Sequence, residues 1–230
     1  MSQLTHDGGS SPSAGRLDSP GLVQMAADAI RRKILAGTLQ PGQQLIEERL
    51  TEELAISRPP LREAMRLLET EGIVERLPRR GAFVRTLSDR DAHEVVTIRA
   101  ALERLAFETG IPVTDDERLK PARQALEEME RCAANEDRGA LVVAGYRFHS
   151  ALVQIADNHQ LDLIYASVQQ KILLCMARNL VARERYFEDL QSHVRRHREL
   201  LDIVERGNLA EALHALATHG EDSFKLYQDE

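Results

Sequence analysis

Apolar residues recur every three or four positions along most of this chain, and the places where that rhythm stops divide it into elements. Leu22, Ala26, Ala29, Ile30 and Ile34 form one stripe and predict a helix over 22–36, stopped by Gly37 and followed by a Pro41-Gly42 turn. Leu50 and Leu54 face inward on a short helix at about 47–54. Ser57 stands where an N-cap is expected for a helix over 58–71, with Pro59 and Pro60 in its first turn and Leu61, Ala64, Met65 and Leu68 inward. After Gly72 the stretches 73–77 and 82–86 read as two short strands around Pro78-Arg79-Arg80-Gly81, a small hairpin. From Ser88 onward the spacing is helical, at about 89–110, 115–134, 138–156, 160–184, 188–206 and 208–228, with Ser88, Thr114 and Asn208 as caps. That pattern predicts a bundle of about six helices. Residues 1–19, dominated by Ser, Gly, Pro and Asp, predict a disordered tail.

Charge changes this picture. The 230 residues carry a net charge of −7, yet 20–87 hold eleven basic against nine acidic side chains, and 88–230 hold 18 against 26. Arg58, Arg62, Arg66, Arg76, Arg79, Arg80 and Arg85 crowd into 28 residues. A short helix, a turn and a second helix make a helix-turn-helix, whose second helix enters the major groove. Arg58, Arg62 and Arg66, spaced four apart, share the face opposite the leucines. An arginine can bridge guanine O6 and N7 with two hydrogen bonds. The Ser57 hydroxyl and the helix's N-terminal amides suit a phosphate. Arg79, Arg80 and Gly81 at the hairpin tip suit the minor groove or sugar-phosphate edge. The plainer alternative is a solvated stripe paired with Glu63, Glu69, Glu71 and Glu75, and the adjoining basic hairpin weighs against it. No apolar run approaches the roughly 20 residues of a membrane span, and the N-terminus lacks a secretory pattern. Cys132 and Cys175 have no metal-type spacing and fall in helical patterns, which suits a reduced cytoplasmic setting.

The pieces "ILAGTLQPGQQL", "SRPPLREAMRLLETEGIV" and "RRGAFV" together resemble the winged-helix domain of GntR-type transcription regulators, and the helical remainder resembles the FCD effector domain of the FadR-like branch. The resemblance implies a mostly α protein. A winged helix-turn-helix with a β-hairpin wing would occupy 20–87, and an all-α effector-binding and dimerisation domain would occupy 88–230. It also implies that Arg58 and Arg62 are the main groove contacts, with Arg80 and Gly81 at the wing tip. Thr51 stands where the family usually has alanine, and Pro59 where a polar residue such as threonine is common, which removes one phosphate or base contact.

Seven of the eight histidines follow residue 87. Spacing alone picks out His193 with His197 and His214 with His219; the first pair shares a helical face and could chelate a metal. On a helix as polar as "QSHVRRHREL" the plainer alternative is two exposed histidines. The family resemblance selects another set. FCD domains often hold a divalent metal through one aspartate and three histidines from separate helices. The matching histidines are His149, His197 and His219, while the aspartate's position is Gly145. Three imidazoles still suffice for zinc, with water or a ligand carboxylate completing the shell. The alternative is a metal-free pocket whose histidines bind an anion. Arg99 and Glu103 match a recurring Arg-x-x-Leu-Glu type pattern. Arg99 either forks onto an effector carboxylate or makes an ordinary salt bridge to Glu103. Asn179 and Arg178 are further candidates to face the pocket.

The expected protein is therefore a ligand-responsive DNA-binding regulator, usually a repressor in this family. It would bind operator DNA as a homodimer and sense a small carboxylate-bearing effector, with a divalent metal, zinc first, as cofactor. The segment 84–91 is the expected hinge. A metal-responsive regulator is the alternative. A metal-dependent hydrolase stands last: the chain has no His-Glu-x-x-His, nucleophile elbow or glycine-rich phosphate loop.

Overall fold

The computed structural model describes residues 20–186 and 189–225. The expected tail over 1–19 and the end of the last expected helix lie outside the described residues. The N-terminal part contains α1 (Pro20–Leu35), β1 (Gln44–Leu45), α2 (Glu47–Leu54), α3 (Arg58–Thr70), β2 (Val74–Leu77) and β3 (Gly81–Val84). The strands form an antiparallel sheet ordered β1-β3-β2, with Gln44 opposite Phe83 and Leu77 opposite Gly81. The two-residue β1 was too short to leave a periodic signal. Ile30 of α1, Leu61, Met65 and Leu68 of α3, Ile73 and Val84 are sealed together, none more than 1% exposed. Each such side chain contributes roughly 1.5–3 kcal/mol by leaving water. Arg31 grips Glu71 through Nε and Nη2, the latter at 2.7 Å, and so ties α1 to the end of α3.

The remainder is helical: α4 (Asp89–Gly110), a 3-10 turn (Asp116–Leu119), α5 (Lys120–Ala134), α6 (Arg138–Gln154), α7 (His159–Ser167), α8 (Gln169–Tyr186), α9 (Leu190–Glu205) and α10 (Leu209–Lys225). Seven α-helices stand here among the described residues, against the six expected, because the helix expected over 160–184 is two. The break falls at Val168, whose backbone leaves the helical region, beside a Ser167 hydroxyl that donates to the Ile164 carbonyl. Side-chain bonds of that kind compete with the helical ladder. Ser88 caps α4 in a reciprocal box with Asp91, and Asn208 accepts from the Ala210 and Glu211 amides. Asp115, not Thr114, caps the 3-10 turn. The most enclosed helix is α6, with Leu141, Phe148 and Leu152 at 0–1% exposure.

The two parts are joined by more than the linker. A side chain at Gly139, at the start of α6, would stand 2.6 Å from the Arg32 carbonyl oxygen of α1. Arg178 of α8 donates to the Leu87 carbonyl at 3.2 Å and pairs with Asp89. The segment read as a hinge is thus braced, and Arg178, read as a pocket candidate, faces the linker instead. A Gly139→Ala substitution should cost about 1–3 kcal/mol by overpacking against main chain that cannot swing aside; thermal melting would register this as a lowered midpoint.

Candidate DNA interface and histidine cavity

Arg58, Arg62 and Arg66 are all exposed on α3, on the side away from Leu61, Met65 and Leu68. Arg62 pairs with Glu47 of α2 at 2.9 Å and Arg66 with Glu63 at 2.6 Å. Both pairs lie in solvent, where such contacts contribute little and a phosphate or base can displace them. The carboxylate expectation holds only for Glu63: Glu69 meets Arg76 of β2 and Glu71 is taken by Arg31. Ser57 occupies the N-cap position with extended backbone, but its side chain makes no capping bond. An N-cap hydroxyl reaches the second and third helical amides, and here those residues are Pro59 and Pro60, which have no N–H. The helix N-terminus therefore offers a phosphate fewer amides than residue type alone suggests.

At the hairpin tip, Arg80 N–H donates to the Leu77 carbonyl at 3.1 Å, closing a turn with Pro78 second and Arg79 third. Arg79 has φ +63°, a left-handed conformation that costs a non-glycine residue of order 1–3 kcal/mol. Gly81 has φ +96°. The Arg80 guanidinium lies 5.4 Å from the Phe83 ring centre, and the Gln44 amide donates to the Arg80 carbonyl at 2.7 Å. The third strand, missed in the sequence, thus braces the tip.

The histidines expected from the family pattern converge. His149 comes from α6, His197 from α9 and His219 from α10, and their ligand atoms lie within 4.8 Å of one another. His149 is 1% exposed and His197 2%, so the expectation of an exposed polar α9 face fails at His197. His149 Nε2 lies 3.3 Å from His197 Nε2, and His197 Nδ1 lies 2.8 Å from the His193 carbonyl oxygen. His193 and His197 therefore do not converge as a local chelate. Burial, reinforced by His219, His193 and His149, holds His197 well below the usual histidine range. Burial, with His149, Arg196 and Arg99 adding to it, does the same to His219. Burial and then Arg99 lower His149 against the pull of Glu103.

Beside the triad, Arg99 donates through Nε to Glu103 Oε1 at 2.7 Å, and the Tyr165 hydroxyl donates to the same oxygen at 2.8 Å. Burial would raise Glu103, but Arg99 and then His149 outweigh it and hold the carboxyl well below its usual range. The Arg99–Glu103 contact is thus the salt bridge of the plainer reading, but a buried one, and Arg99 still lines the cavity. Gly145 is buried, and a side chain there would meet the Met176 methyl at 3.0 Å, so methionine fills the room an aspartate would use. Around these groups lies a cavity of about 560 Å³. Asn179 lines it as expected, with apolar walls from Val96, Val142, Met176, Leu180 and Leu216. His193 and His214, picked out by spacing, also line it, as do Arg104 and Arg196, which were not foreseen; the polar i, i+3, i+4 set on α9 was the available signal. Tyr165, 62 residues from Glu103, left no signal.

The profile of the "Bacterial regulatory proteins, gntR family" matches residues 22–84, and that of the FCD domain matches residues 94–222. The chain belongs to the GntR family. An uncharacterized HTH-type transcriptional regulator of Bacillus subtilis, YdhC, is 31% identical over 83% of this chain and 84% of its own length. The gluconate operon transcriptional repressor of the same organism is 25% identical over 80% of this chain and 77% of its own. A solved GntR transcriptional regulator from Rhodococcus sp. RHA1 superposes with a TM-score of 0.73 at 27% identity, covering 91% of this chain and 99% of that one. This GntR-family chain is a DNA-binding transcription regulator and not an enzyme. Among the described residues no helix is long and apolar enough to cross a membrane.

Proposed function

We propose that this regulator is a homodimeric, cytoplasmic repressor whose helical cavity binds a small carboxylate through a divalent metal held by His149, His197 and His219. The observation that carries the reading is the convergence of three mostly enclosed imidazoles within 4.8 Å. A carbonyl has no proton to give, so His197 Nδ1 must donate to the His193 oxygen, and the neutral ring then turns an Nε2 lone pair toward His149. Their 3.3 Å separation is close to the spacing that nitrogens about 2.0–2.1 Å from a tetrahedral zinc would have. The residues present therefore fit the ion. A bound dication supplies a Lewis-acid anchor for a carboxylate. Glu103 is the one acidic side chain among the described cavity residues and already faces Arg99, so a metal-loaded cavity carries net positive charge. A volume of about 560 Å³ with apolar walls suits a small organic acid.

The DNA-reading assignment has Arg58 and Arg62 reading bases, with Ser57 and Arg66 on phosphates and Arg79, Arg80 and Gly81 at the wing. Arg79 supports it: glycine would suit that backbone better, so the strain is tolerated for the guanidinium. Met176, Asn179 and Leu180 face the cavity from α8, and the same helix holds the linker through Arg178. A ligand pulling on α8 therefore shifts the reading heads, a coupling typically about 1–3 kcal/mol. The repressor sign is supported by the relative named as a repressor.

Fluorescence anisotropy on the DNA upstream of the protein's own gene tests the first half. Arg58→Ala and Arg62→Ala should each lose about 1–3 kcal/mol of specific binding without changing the melting temperature. Arg79→Gly should raise the melting temperature while reducing the salt dependence of binding by about one phosphate contact. For the second half, purified protein should retain about one zinc per chain, and His149→Ala or His197→Ala should abolish it. Chelation should then remove the response of operator affinity to added organic acids. A change in operator affinity on chelation alone, with no acid present, would instead make the metal itself the signal.

A further inference from the structure

The single acidic residue among the described cavity residues has a neighbour besides Arg99 and Tyr165. We propose that Glu103 is a positioning residue for the triad, holding the His149 ring with Nδ1 protonated and Nε2 presented to the metal. The inference rests on the metal reading above and deepens it. Glu103 is 4% exposed, and its Oε1 lies 3.3 Å from His149 Nδ1 as well as receiving Arg99 and Tyr165. These partners come from three helices: α4 supplies Arg99 and Glu103, α6 His149 and α7 Tyr165.

The chemistry follows from proton count. A neutral imidazole has one N–H. Were it on Nε2, His149 would turn a lone pair toward a carboxylate in a dry site, where repulsion is poorly screened. Placed on Nδ1, the proton meets the Glu103 oxygen, and Nε2 faces His197 Nε2 at 3.3 Å with its lone pair available. His149 Nδ1 is enclosed and makes no aligned hydrogen bond, so its contact with the Glu103 oxygen rests on the 3.3 Å approach and on charge. Arg99 and Tyr165 hold that oxygen in place through their hydrogen bonds. His197 is oriented by the same device, with the His193 carbonyl in place of the carboxylate. On the other flank Gly145 offers no side chain and Met176 occupies its space, so Glu103 is the carboxylate this chain brings to His149. A carboxylate behind a ligating histidine raises its basicity, and losing such a partner typically weakens metal binding about 10–100-fold.

The test uses the full-length protein. Zinc affinity is measured by competition with a fluorescent chelator, and two-bond proton–nitrogen spectra of histidine-labelled apo protein report where the His149 proton sits. Glu103→Gln should weaken zinc by about 10–100-fold and move the His149 proton from Nδ1 toward a mixture of the two nitrogens. Tyr165→Phe leaves the carboxylate in place and should weaken zinc by a smaller factor. Should Glu103→Gln fail to fold with Arg99 unpaired, Tyr165→Phe decides: affinity equal to wild type overturns the proposal. Wild-type zinc binding that is undiminished in folded Glu103→Gln, or a wild-type His149 proton on Nε2, overturns this inference alone. A wild-type protein that takes up no zinc overturns the metal reading and this inference together.

Discussion

A carboxylate without water must be surrounded by donors, and the placement of Glu103 sets terms for the helices around it. Its oxygen meets a guanidinium of its own helix, a phenol from α7 and an imidazole from α6. Removing one partner of a buried pair leaves an uncompensated charge, which costs far more than a surface contact returns. The crossing of α4 with α6 and α7 is therefore held by charge as well as by apolar fit. That fixed crossing places His149 opposite the histidines of α9 and α10. The cavity, the triad and the pocket face of α8 all take their positions from it.

The same helices that enclose the cavity touch the reading head. Gly139 lets the start of α6 lie directly on the main chain of α1, and Arg178 carries α8 to the linker at Leu87 and Asp89. In the N-terminal part, Arg31 and Glu71 lock α1 to the end of α3. α6 and α8 are thus connected to the N-terminal part, α3 included, through packed backbone and ion pairs. On the proposed dimeric reading, small changes in head separation matter because groove spacing on DNA is fixed.

The reading surface shows a related economy of donors. Pro59 and Pro60 strip two amides from the start of α3 and leave the Ser57 hydroxyl outside the helix's own hydrogen bonds. On the proposed reading, recognition then falls more heavily on guanidinium groups, which are exposed along α3 and at a hairpin tip whose backbone conformation favours glycine. The nearby carboxylates of Glu47 and Glu63 pair with Arg62 and Arg66 of α3.

Periodicity was enough to locate α1 to α3, the hairpin and most of the later helices, because side-chain burial on a helix or strand repeats at a period set by the backbone alone. The missing cap at Ser57 was also written in the chain, since prolines stand two and three residues after it, but residue type pointed the other way. Residue spacing did not reveal the triad; only likeness to a family did, because its members lie 48 and 22 residues apart on three helices. The burial of His197 and the meeting of Tyr165 with Glu103 were decided by tertiary structure. Each depends on how helices cross, and crossing is fixed by the simultaneous packing and charge balance of elements distant in sequence, which no local pattern contains.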